Sequence, residues 1–213
     1  MTDEVKINRG LKNIYFERSG VSQIDGVKGD LSYRGYSIHD LAQKSNFEEV
    51  AYLLIYGNLP TQSQLSNFDR KLRAARMLPK AIFEIIGSIA MGHPMDVLRT
   101  AVSALASLEK ESQEVSEKSF IENGIRLIAQ IPMIVAAHDN IRNGREPITP
   151  DSSLSHAANW LWMLKGTKPS IEAANLADVD FILHAEHGSN ASSFAARVAI
   201  STETNLHSAI VTA

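Results

Sequence analysis

The 213-residue chain has no cysteine, which excludes disulfide bonds, thiolate nucleophiles and zinc sites built on cysteine. It also lacks an excess of one charge: 21 basic and 24 acidic residues give −3, and no segment concentrates Lys and Arg. Nucleic acid is therefore not an expected partner. No run of about eighteen apolar residues occurs, and residues 1–9 are charged and lack the apolar stretch of a signal peptide. We expect a cytoplasmic protein that does not bind a membrane.

Three familiar catalytic or nucleotide-binding patterns are also missing. The chain contains no Gly-x-Gly-x-x-Gly sequence, no Walker-type loop and no Gly-x-Ser-x-Gly elbow. A nucleotide held in a glycine-rich loop and a hydrolase of the elbow type are therefore not expected.

Apolar residues recur with helical spacing along most of the chain. The first clear stripe consists of Phe47, Val50, Ala51 and Leu54. Ser45 and Glu48 fit a capping box at the start of this helix, and Thr61 and Gln64 fit a second box at the start of the next one. Both helices are predicted from local signals alone.

Further helix signals predict an all-α protein of eight or nine helices. A long helix is expected from Phe120 to Gly144, with Val135 and His138 facing inward, and another begins at Ser152 or Ser153. Residues 109–119 are predicted to form a solvated connection. Near the N-terminus, Asp25-Gly26 predicts the turn of a small β ribbon.

The segment 184–193 is the most chemically dense part of the sequence, because it holds two imidazoles, a carboxylate, an amide and three hydroxyls. If the segment continues a helix, His184 and His187 share one face. Two histidines do not complete a catalytic zinc site, so no metal is expected. The residues leave two interpretations open: the imidazoles donate hydrogen bonds to a small anion, or one of them is a buried structural residue.

The remaining histidines have no partner that spacing can identify. His93 precedes Pro94 in a sequence typical of a helix start. We expect the others to be structural or exposed; they are His39, His138, His156 and His207.

Four segments together resemble the citrate synthase family, including its 2-methylcitrate synthase branch. They contain Gly-Asp-Leu-Ser-Tyr-Arg-Gly (29–35), Glu-Glu-Val-Ala-Tyr-Leu-Leu (48–54), His-Pro-Met-Asp (93–96) and His-Ala-Glu-His-Gly-Ser-Asn-Ala-Ser (184–192). The resemblance runs from Gly10 to the end of the chain and covers about the first half of a typical member. It implies that residues 1–213 are the N-terminal part of the large domain, without the small domain and the C-terminal part.

The resemblance also implies an activity and its partners. Members of the family condense acetyl-CoA with oxaloacetate to citrate and CoA as homodimers, in the tricarboxylic acid cycle, and need no cofactor beyond their substrates. The 2-methylcitrate branch uses propionyl-CoA instead. A third interpretation is a non-catalytic dimerisation module, suggested by the alanine-rich faces at 101–106 and 125–137.

By the same resemblance, His187 matches the histidine that binds oxaloacetate. His184 and Asn190 are candidates for residues that contact His187, rather than the substrate, and support its position. The catalytic aspartate, the enolate-stabilising histidine and the arginines that bind the substrate carboxylates are expected downstream of Ala213. The chain alone is therefore expected to be inactive. Glu186 and Gly188 stand where many members carry Asp and Glu, and Gly188 is expected to loosen the hydrogen bonding around His187.

Overall fold

The computed structural model describes residues 18–109, 116–188 and 190–213. Within these ranges lie three short strands and ten helices, which confirms the all-α class with a small β ribbon. In chain order they are β1 (Ser22–Asp25), β2 (Asp30–Tyr33), β3 (Tyr36–Ser37), α1 (Ile38–Lys44), α2 (Phe47–Tyr56), α3 (Gln62–Ala74), α4 (Lys80–Ile89), α5 (Pro94–Leu108), α6 (Glu117–Arg142), α7 (His156–Lys165), α8 (Ile171–His184), α9 (Ala191–Ile200) and α10 (Leu206–Thr212).

Two of these helices were not predicted. α1 has seven residues, too few to display a helical period, and α9, although apolar, contains no fully buried residue. The charged residues 1–9 and residues 110–115 of the predicted connection lie outside the described ranges. Among its described residues, Glu117 and Lys118 are exposed as predicted, whereas the side chains of Glu109 and Ser119 are largely buried, so the prediction of a solvated segment is wrong at those two positions.

The N-terminal β ribbon confirms the turn predicted at Asp25-Gly26. β1 and β2 are antiparallel, and β2 pairs in turn with β3. The Asp25 carboxylate accepts the main-chain N–H groups of Val27 and Lys28, each at 3.1 Å. Gly29, with φ +74°, completes a four-residue loop. The ribbon packs on α1, and its Tyr33 belongs to the same apolar cluster as Ile182 of α8.

α6 is the central helix of the fold. Met133, Ile134 and Ala137 are buried on it, and His138 places Nε2 2.9 Å from the carbonyl oxygen of Ala90. Val135 falls between these positions and is exposed, so its predicted inward orientation is wrong. By length and composition α6 could cross a membrane, but half of its apolar stretch is buried by the other helices. A helix in the core of a folded domain can have the same length and composition.

Two helix starts differ from their predicted positions. α2 is capped by Asn46, whose side chain accepts from Glu49 N–H while Glu49 accepts from Asn46 N–H, one residue beyond the predicted box of Ser45 and Glu48. α7 is capped by Ser155 rather than Ser152 or Ser153. The second predicted box, between Thr61 and Gln64, is confirmed.

The alanine-rich faces that suggested a dimerisation module lie inside this chain. Ala101, Ile125, Ala129 and Ala137 are buried between α3, α5 and α6 and the elements that pack on them. Because these side chains are already covered, they do not offer a surface to a second copy.

Candidate functional site

The segment between α8 and α9 carries the predicted substrate-binding residue. α8 ends at His184 with Ala185 as its cap, and α9 begins after its cap, Asn190. His187 is exposed between these two helix ends. An imidazole sealed among aliphatic side chains could not reach a ligand, and this one is not sealed. Its role in binding oxaloacetate stays a prediction.

His184 and Asn190 have local partners. His184 Nδ1 lies 2.8 Å from the carbonyl oxygen of Asp180 and 3.4 Å from its Oδ1, and the side chain is 76% exposed. Because α8 ends at His184, the predicted common helix face with His187 is wrong. Asn190 Oδ1 accepts from Ser193 N–H at 2.8 Å and thereby begins α9. The support of His187 by these two residues stays a prediction.

The Glu186 side chain accepts two hydrogen bonds next to His187. Its Oε1 accepts the Gly188 N–H at 2.5 Å and the Ser22 hydroxyl at 3.1 Å. The first bond spans two residues and encloses the main chain of His187, while the second ties the segment to β1. The Glu186 carboxylate thus bridges the position, and the loosening expected from Gly188 stays a prediction.

Gly188 has a backbone conformation that suits glycine. Its φ is +70°, a region in which a side chain is strained. A Cβ there would also lie 3.3 Å from Ile24 Cδ1 and 3.8 Å from Ser22 Oγ. The β ribbon and the turn at 186–188 thus approach closely, and glycine allows both the approach and the turn.

A second group of polar side chains, two of them buried and one half-buried, lies where α2, α7 and α8 meet. Glu48 Oε1 accepts the His156 main-chain N–H at 2.8 Å. Asp178 of α8 accepts the Phe47 main-chain N–H at 3.1 and 3.3 Å. The His156 ring stacks on Phe47, with 5.1 Å between ring centroids. These contacts fix α8, the helix that leads into the candidate site.

Burial shifts the pKa values of two members of this group. Burial, with a smaller contribution from the charge of Arg76, lowers the pKa of His156 to about 3, so the ring is neutral. Burial also raises the pKa of Asp178 to about 6, against the hydrogen bond from Phe47 N–H. Sequence spacing could not find this group, because the pattern around Glu48 also fits an exposed cap.

Within the described part of the chain, no three His, Asp or Glu side chains come together in a way that could hold a metal ion.

The candidate site consists of an exposed imidazole on a turn whose two flanking residues are held by hydrogen bonds. A neutral or protonated imidazole donates hydrogen bonds to carbonyl and carboxylate oxygens, and an exposed one does so to a ligand.

Comparison with known proteins defines the class to which this arrangement belongs. The protein-family model described as "Citrate synthase, C-terminal domain" matches residues 10–213. The chain is 41% identical to a citrate synthase of Synechocystis over all of its own length and 54% of that protein. It is also 41% identical to 2-methylcitrate synthase 2 of Corynebacterium glutamicum, over 96% of this chain and 55% of that protein.

Solved structures agree with this class. The citrate synthase of Pyrobaculum aerophilum superposes with a TM-score of 0.93 at 37% identity, over 97% of this chain and 54% of that one. The citrate synthase of Thermoplasma acidophilum, in a ternary complex with carboxymethyl coenzyme A and oxaloacetate, has a TM-score of 0.91 at 26% identity, over 97% and 55%. The chain belongs to the citrate synthase family. It spans about half the length of the curated relatives it matches.

Proposed function

We propose that the protein of which this chain is part condenses acetyl-CoA with oxaloacetate to citrate and CoA, and that His187 binds oxaloacetate. The observation that carries the proposal is the exposed His187 imidazole on a turn fixed by Glu186, in a chain of the citrate synthase family. The ternary complex of the Thermoplasma acidophilum relative supports the same pair of ligand classes.

The chemistry explains why one histidine is not sufficient. Removal of a proton next to a thioester requires a positioned base and donors for the developing oxyanion. His187 contributes a hydrogen bond to the second substrate, and we place the base, the enolate-stabilising donor and the carboxylate-binding arginines in sequence beyond Ala213. Residues 1–213 are then the N-terminal part of the large domain and do not catalyse condensation alone.

Propionyl-CoA is the alternative acyl donor. The similarity to 2-methylcitrate synthase 2 supports it as strongly as the similarity to a citrate synthase supports acetyl-CoA, because both identities are 41%. One methylene in an apolar pocket changes binding by only about 1–3 kcal/mol, so the two donors differ by a modest factor. Rates measured with both donors on the full-length enzyme distinguish these activities.

We also propose a cytoplasmic homodimer that needs no metal or cofactor beyond its substrates. The exposed apolar side chains of α8 support an interface: Ile171 is 77% and Leu176 74% exposed. The dimerisation module without activity is disfavoured, since the alanine-rich faces that suggested it are buried within the chain. Light scattering of the full-length protein tests the dimer.

The decisive experiment measures CoA release by the full-length enzyme. His187→Ala is expected to raise KM for oxaloacetate or lower kcat so that kcat/KM falls about 100-fold, as for the loss of a hydrogen-bond donor to a charged substrate. His39→Ala is the matched control, because His39 is exposed on α1. Activity of the His187→Ala enzyme equal to that of the control contradicts the assignment, as does wild-type condensation by residues 1–213 alone.

A further inference from the structure

From the geometry we infer that Tyr33 is a positioning residue: its hydroxyl, brought by the N-terminal β ribbon, fixes the turn that presents His187. The inference rests on the proposed function, because it assigns to Tyr33 the orientation of the proposed oxaloacetate-binding imidazole. Tyr33 itself is completely buried and does not contact the exposed face of the turn.

The Tyr33 hydroxyl lies where α8 ends. Its oxygen is 3.1 Å from the carbonyl oxygen of Ile182, 3.3 Å from that of Leu183 and 3.1 Å from that of Glu186. The last carbonyl groups of a helix lack N–H partners further along the helix, and the single hydroxyl hydrogen of Tyr33 can be donated to one of these three oxygens at a time. Burial raises the pKa of Tyr33, so the group remains a protonated donor at neutral pH.

The same hydroxyl also binds the turn from its other side. The Glu186 main-chain N–H donates to the Tyr33 oxygen at 3.3 Å. Tyr33 therefore contacts both polar groups of the Glu186 backbone, one residue before His187. A phenylalanine at position 33 could fill the same space but could make none of these bonds.

The pairing of the ribbon explains why Ser22 acts with Tyr33. Ser22 and Tyr33 are directly opposite in the antiparallel pair, and Ile24 lies two residues beyond Ser22. Opposite residues, and residues two apart in a strand, project from the same face. The ribbon thus presents a hydroxyl that binds the Glu186 side chain, a phenol that binds the Glu186 backbone and an apolar contact for Gly188 on one face.

These contacts fix the residues on both sides of His187 and leave its side chain exposed. Glu186 is held by Tyr33 and Ser22, while Gly188 is held by the Glu186 carboxylate and by its close approach to Ile24. An imidazole presented by an ordered backbone loses less conformational freedom when it binds a ligand. The β ribbon therefore helps to order the backbone of the candidate site.

Order of the turn is measured first, on the full-length protein. Backbone ¹⁵N order parameters are expected to fall at residues 186–188 in Tyr33→Phe, from about 0.85 toward about 0.6, and to remain unchanged in α6. A general loss of stability does not move these parameters, because they report fast motion of the folded state. Tyr36→Phe is the matched control, since Tyr36 is exposed on β3.

Ser22→Ala provides a second, smaller change at the same face. It is expected to lower the order parameters of residues 186–188, whereas Ser32→Ala, on the opposite face of the ribbon, leaves them unchanged. Order parameters of residues 186–188 that stay at the wild-type value in both Tyr33→Phe and Ser22→Ala would overturn the inference.

Kinetics of the full-length enzyme supply the functional part of the test. Tyr33→Phe is expected to raise KM for oxaloacetate about tenfold while KM for acetyl-CoA changes by less than about twofold, since the hydroxyl that holds the Glu186 backbone is lost. A loosened turn with an unchanged KM for oxaloacetate overturns the positioning role. Absence of condensation by the wild-type enzyme overturns the proposed function instead, and the order parameters still decide whether Tyr33 fixes the turn.

Discussion

The buried His156 makes the stability of this protein sensitive to acid. Its ring is neutral in the folded state because burial lowers the pKa to about 3, whereas the unfolded chain has the ordinary value of 6.5. The folded-state pKa is depressed, so the contribution to stability is complete above pH 6.5 and is lost as the pH falls toward 3. Between pH 7 and pH 5, His156 of the unfolded chain takes up about 0.7 of a proton that the folded chain does not bind. This uptake lowers the free energy of unfolding by about 2 kcal/mol.

Replacement of the ring by one that does not titrate isolates this effect. His156→Phe retains an aromatic ring against Phe47, and the fall in unfolding free energy from pH 7 to pH 5 is expected to be about 2 kcal/mol smaller than in the wild type. Urea unfolding at both pH values, followed by circular dichroism, gives the difference. The contribution of the buried His207, whose pKa burial also lowers, is common to both proteins and cancels.

His39→Phe is the control for the same substitution at an exposed position, and its unfolding free energy should fall from pH 7 to pH 5 as in the wild type. Equal falls in unfolding free energy for wild type and His156→Phe would refute the reasoning, because they would mean that His156 binds a proton equally well in the folded and unfolded states.

Three other substitutions test a half-buried carboxylate and two glycines of different backbone conformation. Asp178→Asn is expected to stabilise the protein at pH 7 by about 1–2 kcal/mol and to have little effect near pH 3.8. Burial raises the pKa of Asp178 to about 6, so the stability that this group contributes is complete below pH 3.8 and is lost as the pH rises through 6. Its amide oxygen can still accept from Phe47 N–H, and urea unfolding at the two pH values measures the change; equal effects at both would contradict the raised pKa. Gly57→Ala should destabilise by about 1 kcal/mol, because Gly57 ends α2 with φ +90° although a Cβ there meets open space. Gly87→Ala, within α4 and also in open space, should instead stabilise by about 0.5–1 kcal/mol, and thermal unfolding shifts of the same sign for both glycines would argue against backbone strain.

Local signals in the sequence were sufficient for most helices and for the ribbon. Thr61 and Gln64 lie within one turn of each other, so their box could be recognised without knowledge of the fold. At α2 the same pattern fits two registers, and a contact between residues 108 apart distinguishes them: Glu48 turns inward to accept from His156 N–H, which leaves Glu49 to complete the cap. Helix existence is thus a local property here, and helix register is a tertiary one.

The candidate site shows the same division. Resemblance to a family singled out His187, but the residues that hold it in place lie 153 or more positions away in sequence, as Tyr33 and Ser22 do from Glu186. No spacing rule joins positions so far apart. The half-buried Asp178 was likewise missed, because its partner is a main-chain N–H of α2, and a main-chain group leaves no trace in side-chain patterns.

Glu186 and Gly188, the two expected departures from the family pattern, make different contacts beside His187. At position 188, φ of +70° and the approach of Ile24 both disfavour a side chain, so the glutamate that many members carry there would be strained in this chain. Glu186 is one methylene longer than the aspartate of those members, and its carboxylate reaches both the Gly188 N–H and the Ser22 hydroxyl. A carboxylate is therefore retained beside the imidazole, supplied from the residue before it and anchored to the ribbon. In this chain Glu186 and the ribbon hold the turn while His187 stays exposed.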